Sequence, residues 1–157
     1  MRYKYTYAVF PRAYSKSFLA ALILIIRCIL YPGAKLFVTS GGKEQASSIL
    51  KAKVQELCHL IPGLHEEIDW RRGKTMEGKD YVRYIFKNGS VLDNIAARET
   101  SRGQRRHGGL MEECVGIDGT ILNEVIIPTM NVSRRGAWGE KDEDEAMIRE
   151  LLGEEDE

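Results

Sequence analysis

Tyr5-Thr-Tyr-Ala-Val-Phe10, then Pro11-Arg-Ala-Tyr-Ser15-Lys16-Ser17, then the apolar run from Phe18 to Leu30, is the stretch that decides how this chain is read. The first six residues are aromatic or β-branched enough to predict a short strand, and Pro11 breaks it. Ser17 to Leu30 has the length and continuous apolarity of a helix buried on most sides, ended by Pro32-Gly33. A lysine and a hydroxyl therefore sit where a strand hands over to a buried helix.

Working outward, Lys35-Leu-Phe-Val-Thr39 predicts a second strand, short and apolar as central parallel strands are. Gly41-Gly42 turns into a second helix, with Ile49, Val54, Leu57 and Leu60 near helical spacing and Pro62-Gly63 as its stop. Strand, helix, strand, helix predicts a parallel sheet with right-handed crossovers. Tyr81 to Phe86 and Val91 to Ala96 then flank Asn88-Gly89, the sequence signature of a hairpin. A polar, arginine-rich stretch, Arg98 to His107, leads to Gly109-Leu-Met111 and the acid pair Glu112-Glu113. Asp118 is placed to cap a helix from about Gly119 to Ile127, and a short acidic helix is expected near Ala146 to Leu152. The fold class expected is a single α/β domain: a P-loop NTPase-like, mostly parallel sheet flanked by helices, with one inserted antiparallel hairpin.

The 157 residues hold 23 basic and 23 acidic side chains, and that balance hides an asymmetry. Residues 140 to 157 carry ten acids against two bases, leaving 21 bases and 13 acids on the first 139. A basic body suits an anionic partner such as nucleotide or nucleic acid, and an acidic block of this kind reads as a solvated tail. The domain is accordingly expected over residues 1–135, with residues 136–157 as a flexible acidic tail. Cys28, Cys58 and Cys114 lack metal or redox spacing and read as reduced thiols in a cytoplasm. The apolar run Leu19 to Tyr31 is shorter than the ~20 residues that span a bilayer, and Arg27 interrupts it, so no membrane association is expected.

Three groups of residues could carry chemistry. In a phosphate-binding loop, backbone amides at a helix start cradle phosphate oxygens, a lysine neutralises the outer phosphates, and the next hydroxyl holds magnesium. Lys16 and Ser17 fit the last two places, while Phe10 and Ser15 stand where the usual glycines would be. The alternative is a lysine and serine that simply open a helix. Glu112 and Glu113, ending an apolar stretch, could supply a metal-organising carboxylate and a second one that polarises an attacking water; the alternative is a pair of solvated loop acids. Arg98, Arg102, Arg105, Arg106 and His107 could face the phosphates of nucleotide or DNA, or form a solvated loop. Arg12, inside the loop, could stabilise charge on a transferred phosphoryl group. His59 and His65 read as surface or helix-end residues, and Trp70 as a packing or loop anchor.

Phe10-Pro-Arg-Ala-Tyr-Ser-Lys-Ser17, together with Tyr31-Pro-Gly-Ala-Lys-Leu-Phe-Val-Thr-Ser-Gly-Gly-Lys-Glu-Gln45, resembles the ATPase domain of bacteriophage and prophage terminase large subunits. So do the stretch from Ala97 through the acid pair to Glu113 and the segment from Asn123 to Asn131; the resemblance spans roughly residues 5 to 135. That family tolerates phosphate loops without the usual glycines and often carries an arginine in them.

The resemblance implies ATP hydrolysis with Mg2+, coupled to translocation of double-stranded DNA into a procapsid in the cytoplasm of the bacterial host. It implies that residues 12 to 17 (Arg12, Ala13, Tyr14, Ser15, Lys16, Ser17) bind nucleotide, that Ser17 and Glu112 hold the metal, and that Glu113 is the catalytic carboxylate with Arg12 beside it. Arg102, Arg105 and Arg106 would contact phosphate or nucleic acid. A ring of subunits, a portal protein and a small terminase subunit are the partners it implies. The family's upstream adenine-contacting segment and its downstream nuclease domain have no counterpart in these residues, so DNA cleavage is not expected. The alternatives are a truncated, non-catalytic nucleic-acid or motor-assembly module of the same fold, and a generic basic α/β protein with no nucleotide site.

Overall fold

Residues of a strand point alternately to opposite faces of its sheet, and the strand Lys35–Thr39 (β1) shows what each face meets. Leu36 and Val38 join a core with Ala21, Leu24, Ile25 and Cys28 of the first helix and Leu50, Val54 and Leu57 of the second. Phe37 points the other way and packs with Ile95 and Ile126, flanked by Met111, Ile121, Leu122 and Met130. Helices therefore cover both faces. This computed structural model describes residues 6–11, 14–97 and 105–130.

In chain order the elements are α1 (Lys16–Leu30), β1, α2 (Lys43–Leu60), α3 (Pro62–Glu67), β2 (Met76–Glu77), β3 (Val82–Ile85), β4 (Val91–Asn94) and β5 (Gly108–Met111). A helical run then follows: α over Gly119–Ile121 (α4), π over Leu122–Ile126, and α again over Ile127–Thr129 (α5). Asp118 caps it as expected, its carboxylate accepting from the amides of Thr120 and Ile121. Pro128 lacks the amide a regular α-helix needs there, which fits the widened turn just before it.

The five strands form one sheet in the order β2-β3-β4-β1-β5. β1 is parallel to both β4 and β5, while β2, β3 and β4 run antiparallel to one another in turn. The sheet is thus mixed and open and not the mostly parallel one expected, because the hairpin is built into it and adds antiparallel pairings: β4 is at once a hairpin arm and a neighbour of β1. Gly89, with φ +84°, makes the turn that Asn88-Gly89 announced. Gly109 answers a different need: a Cβ there would stand 2.5 Å from the Phe37 ring, so only glycine lets Phe37 lie flat against β5.

Two expectations do not hold. Thr6 to Phe10 forms no strand, and Tyr7 (71%) and Val9 (77%) are largely exposed. A mostly apolar run suits a central strand paired and covered on both sides, and no strand lies beside this segment among the described residues. α1, likewise, buries only one face: Ala21, Leu24, Ile25 and Cys28 are inside, while Leu19, Ile23, Ile26 and Leu30 are 42–66% exposed. The acidic helix expected near residue 146 lies outside the described residues. No helix of the described residues is long and apolar enough to cross a membrane.

Candidate active site

Because β1 and β5 are parallel neighbours, with Thr39 opposite Met111, the segments after them leave the sheet side by side at their carboxyl ends. The Glu112 amide donates to the Thr39 carbonyl at 2.8 Å, extending that pairing by one residue. A tight turn, in which the Ala34 amide bonds the Tyr31 carbonyl at 3.1 Å, doubles the chain back from α1 into β1. The start of α1 is thereby brought to the same end of the sheet as Glu112.

There Ser17 Oγ donates a hydrogen bond to Glu112 Oε1, across 95 residues of sequence. Lys16 Nζ lies 4.0 Å from the same oxygen. Glu112 is only 7% exposed, so its charge faces these two partners more than solvent. The first amides of an α-helix have no intrahelical acceptor, and the first turn of α1 contains no acidic residue. An ammonium, a hydroxyl, a row of amides and a carboxylate thus converge where the strands end, the place where open α/β sheets bind ligands.

Three further features mark this end. Ser15 (φ 52°) and Glu113 (φ 51°) are the described non-glycine residues with left-handed backbone, and they immediately flank Lys16 and Glu112. Each such residue costs about 1–2 kcal/mol, and strain of this kind gathers at functional sites. The side-chain oxygens of Thr39 and Ser40, both fully buried where β1 ends, have no hydrogen-bond partner among the described residues. Finally, Gln45 Nε2 in the first turn of α2 donates to Glu113 Oε2 at 3.1 Å. The adjacent acids therefore part company, Glu112 toward α1 and Glu113 toward α2.

Of the residues singled out in the sequence, Lys16, Ser17 and Glu112 come together here, while Glu113, next in the chain, bonds to Gln45. Tyr14 and Ser15 are exposed just ahead of the helix, and Tyr14 stacks on Phe10 at 6.2 Å. Arg12, Ala13, Arg98 and Arg102 lie outside the described residues. Arg105 is exposed. Arg106 is engaged elsewhere: its guanidinium forks onto Asp93, Nη2 to Oδ2 at 2.6 Å and Nε to Oδ1 at 3.2 Å, with Asp93 only 2% exposed. Tyr81 Oη also donates to Asp93, and burial followed by that carboxylate pushes the Tyr81 hydroxyl above its usual pKa. Thr39, Ser40 and Gln45 were not singled out, because a threonine, a serine and an exposed glutamine carry no signal until the strands are aligned.

The chain was compared with known families, curated proteins and solved structures, and none matches it. The geometry of the site is therefore the ground for any functional reading.

Elsewhere, an open groove of about 580 Å³ lies along the second half of α2, lined by Val54, Cys58, His59, His65, Trp70 and Glu77 among others. His65 stacks on Trp70 at 4.8 Å, and Trp70 Nε1 donates to the His65 carbonyl at 2.9 Å, which makes Trp70 a loop anchor. Burial, then the nearby Glu77, pushes the Cys58 thiol up. No group of three or more His, Cys, Asp or Glu converges on a possible metal position among the described residues.

Proposed function

We propose that this chain is the ATP-hydrolysing core of a viral DNA-packaging motor, the ATPase part of a terminase large subunit. The observation that carries the reading is the contact of Ser17 with Glu112, beside Lys16, at the carboxyl ends of β1 and β5. A phosphate loop and a metal-organising carboxylate must meet across the fold, and the contact of Ser17 with Glu112, distant in sequence, supports reading them as such a pair.

On this reading the amides at the start of α1 and the Lys16 ammonium hold the phosphates of ATP. Magnesium prefers a hydroxyl, one or two carboxylates and phosphate oxygens, and Ser17 with Glu112 are a donor pair of that kind. When bound, the ion would offset charge on the phosphates. Glu113 takes the proton of a water whose oxygen bonds to the terminal phosphorus; the bond from that phosphorus to the ADP oxygen breaks. Arg12 would stabilise charge on the transferred group. Double-stranded DNA, a portal and a small terminase subunit as partners, a ring assembly, and the bacterial cytoplasm as location rest on the resemblance alone.

A second reading is a non-catalytic module of the same fold, serving nucleic-acid binding or motor assembly. It is favoured by one observation: Thr6 to Phe10, which would lead into the phosphate loop as a strand, is unpaired, and β5 ends the sheet among the described residues.

Calorimetry of Mg-ATP binding to the native chain and to Lys16→Ala tests the first reading. We expect binding to weaken at least about tenfold, roughly 1.4 kcal/mol, in the variant. Glu113→Gln should bind ATP as the native chain does and turn it over about 100-fold more slowly or worse. A folded native chain that binds no ATP would hand the case to the second reading.

A further inference from the structure

We propose that Gln45 is a positioning residue for Glu113: its side-chain amide fixes the carboxylate that takes the proton from water. The inference rests on the ATPase reading of the site and adds a residue to it.

Four observations support it. Gln45 Nε2 lies 3.1 Å from Glu113 Oε2, and the partners are 68 residues apart, so the fold and not chain proximity brings them together. The two supporting segments are themselves close, since a Cβ on Gly41 would lie 3.6 Å from the Gly116 carbonyl oxygen. The β1–α2 turn and the turn after β5 thus approach through their backbones. Glu113 is held in a left-handed conformation, φ 51° and ψ 46°, which separates it from the direction taken by Glu112. And among the described residues the bond from Gln45 uses only one carboxylate oxygen, Oε2, leaving Oε1 for a water.

The choice of residue also makes chemical sense. A neutral amide donates to the carboxylate without adding a charge beside it. The opposite amide orientation would set the Gln45 carbonyl oxygen against a carboxylate oxygen, so the donor arrangement is the attractive one.

The test is steady-state Mg-ATP hydrolysis, resolved into kcat and KM, with double-stranded DNA present, for the native chain, Gln45→Ala and Gln45→Glu. ATP affinity is measured in parallel by calorimetry and folding by thermal melting. Gln45→Ala should lower kcat about tenfold, in the range seen when an orienting partner is removed, with ATP affinity and melting temperature unchanged. Gln45→Glu, of the same size but unable to donate and carrying a like charge, should lower kcat further, again with KM for ATP and melting temperature unchanged. A purely structural contact would move the melting temperature or KM and not kcat alone. If the native chain hydrolyses ATP while Gln45→Ala and Gln45→Glu both keep native kcat, the role of Gln45 is overturned and the ATPase reading stands. If the native chain binds and hydrolyses no ATP, the ATPase reading falls, and the role of Gln45 falls with it.

Discussion

The two ends of the same parallel strands are built in opposite ways. At the amino ends of β1, β4 and β5 the polar groups are matched. Ser90 Oγ donates to the Tyr31 carbonyl and accepts from the Ala34 amide; the Lys35 amide donates to His107 Nδ1 while the His107 amide returns to the Lys35 carbonyl. Asn88 Nδ2 bonds the Cys28 and Ile29 carbonyls at the end of α1, at 2.8 and 3.0 Å. At the carboxyl ends of β1 and β5 two buried hydroxyls have no partner among the described residues, two residues sit in left-handed backbone, and a buried carboxylate meets a lysine and a serine. A fold that satisfies one end and leaves the other strained and under-bonded has stability invested in the first and binding capacity in the second.

The largest expected effect sharpens the contrast from the matched side. Arg106→Met leaves the Asp93 charge buried without its guanidinium, a change that costs about 3 kcal/mol or more. Denaturant melts should show that loss, with ATP affinity unaltered in the folded fraction. If the variant is instead as stable as the native chain and binds nucleotide or DNA less well, Arg106 belongs with phosphate contacts and the division between structure and site is misdrawn. Asn88→Ala removes the donor to two carbonyls at the end of α1 and should cost about 1–2 kcal/mol, again without touching turnover. A kinetic phenotype there would break the comparison.

The strained side predicts the reverse sign. Glu113→Gly places glycine where φ is 51° and should raise stability by about 1 kcal/mol and, on the proposed ATPase reading, abolish hydrolysis. A destabilised Glu113→Gly would mean that the backbone strain is not stored there. The smallest effect is a pH dependence. Backbone amides of Thr120 and Ile121 hold the Asp118 carboxyl below its ordinary 3.8. Its contribution is therefore complete above about pH 4 and is lost as pH falls through its lowered value. The carboxyl of Asp69, held to about 2 chiefly by hydrogen bonding from Arg71, loses its contribution in the same direction. Melting temperatures from pH 6 to pH 2 should fall less steeply for Asp118→Asn, which keeps a capping oxygen but does not titrate. Equal slopes for the two proteins would remove Asp118 from the acid response.

Much of the architecture was legible in local signals. The strand Lys35 to Thr39, the helix after Gly41-Gly42, the hairpin at Asn88-Gly89 and the Asp118 cap all emerge from turn chemistry, capping and apolar runs, and the structure has them. Thr6 to Phe10 was misread because β propensity describes a segment that can fit a sheet, and says nothing of whether a neighbouring strand is there to receive it. α1 was over-buried in the reading because a run apolar on every side does not reveal how many sides find a partner.

The sequence by itself determined which residue types lie at the ends of elements: a lysine and serine opening a helix, two acids closing a short apolar stretch, a fork of arginines between. These are local facts, set by the chemistry of a few consecutive residues. Only the tertiary structure decided which of them meet. The parallel pairing of β1 with β5, and the turn that doubles α1 back over the sheet, put Ser17 against Glu112 and Gln45 against Glu113, while Arg106 is drawn to Asp93. Contacts spanning 68 and 95 residues depend on strand order and register, which are properties of the whole packed sheet and leave no mark on the residues that benefit from them.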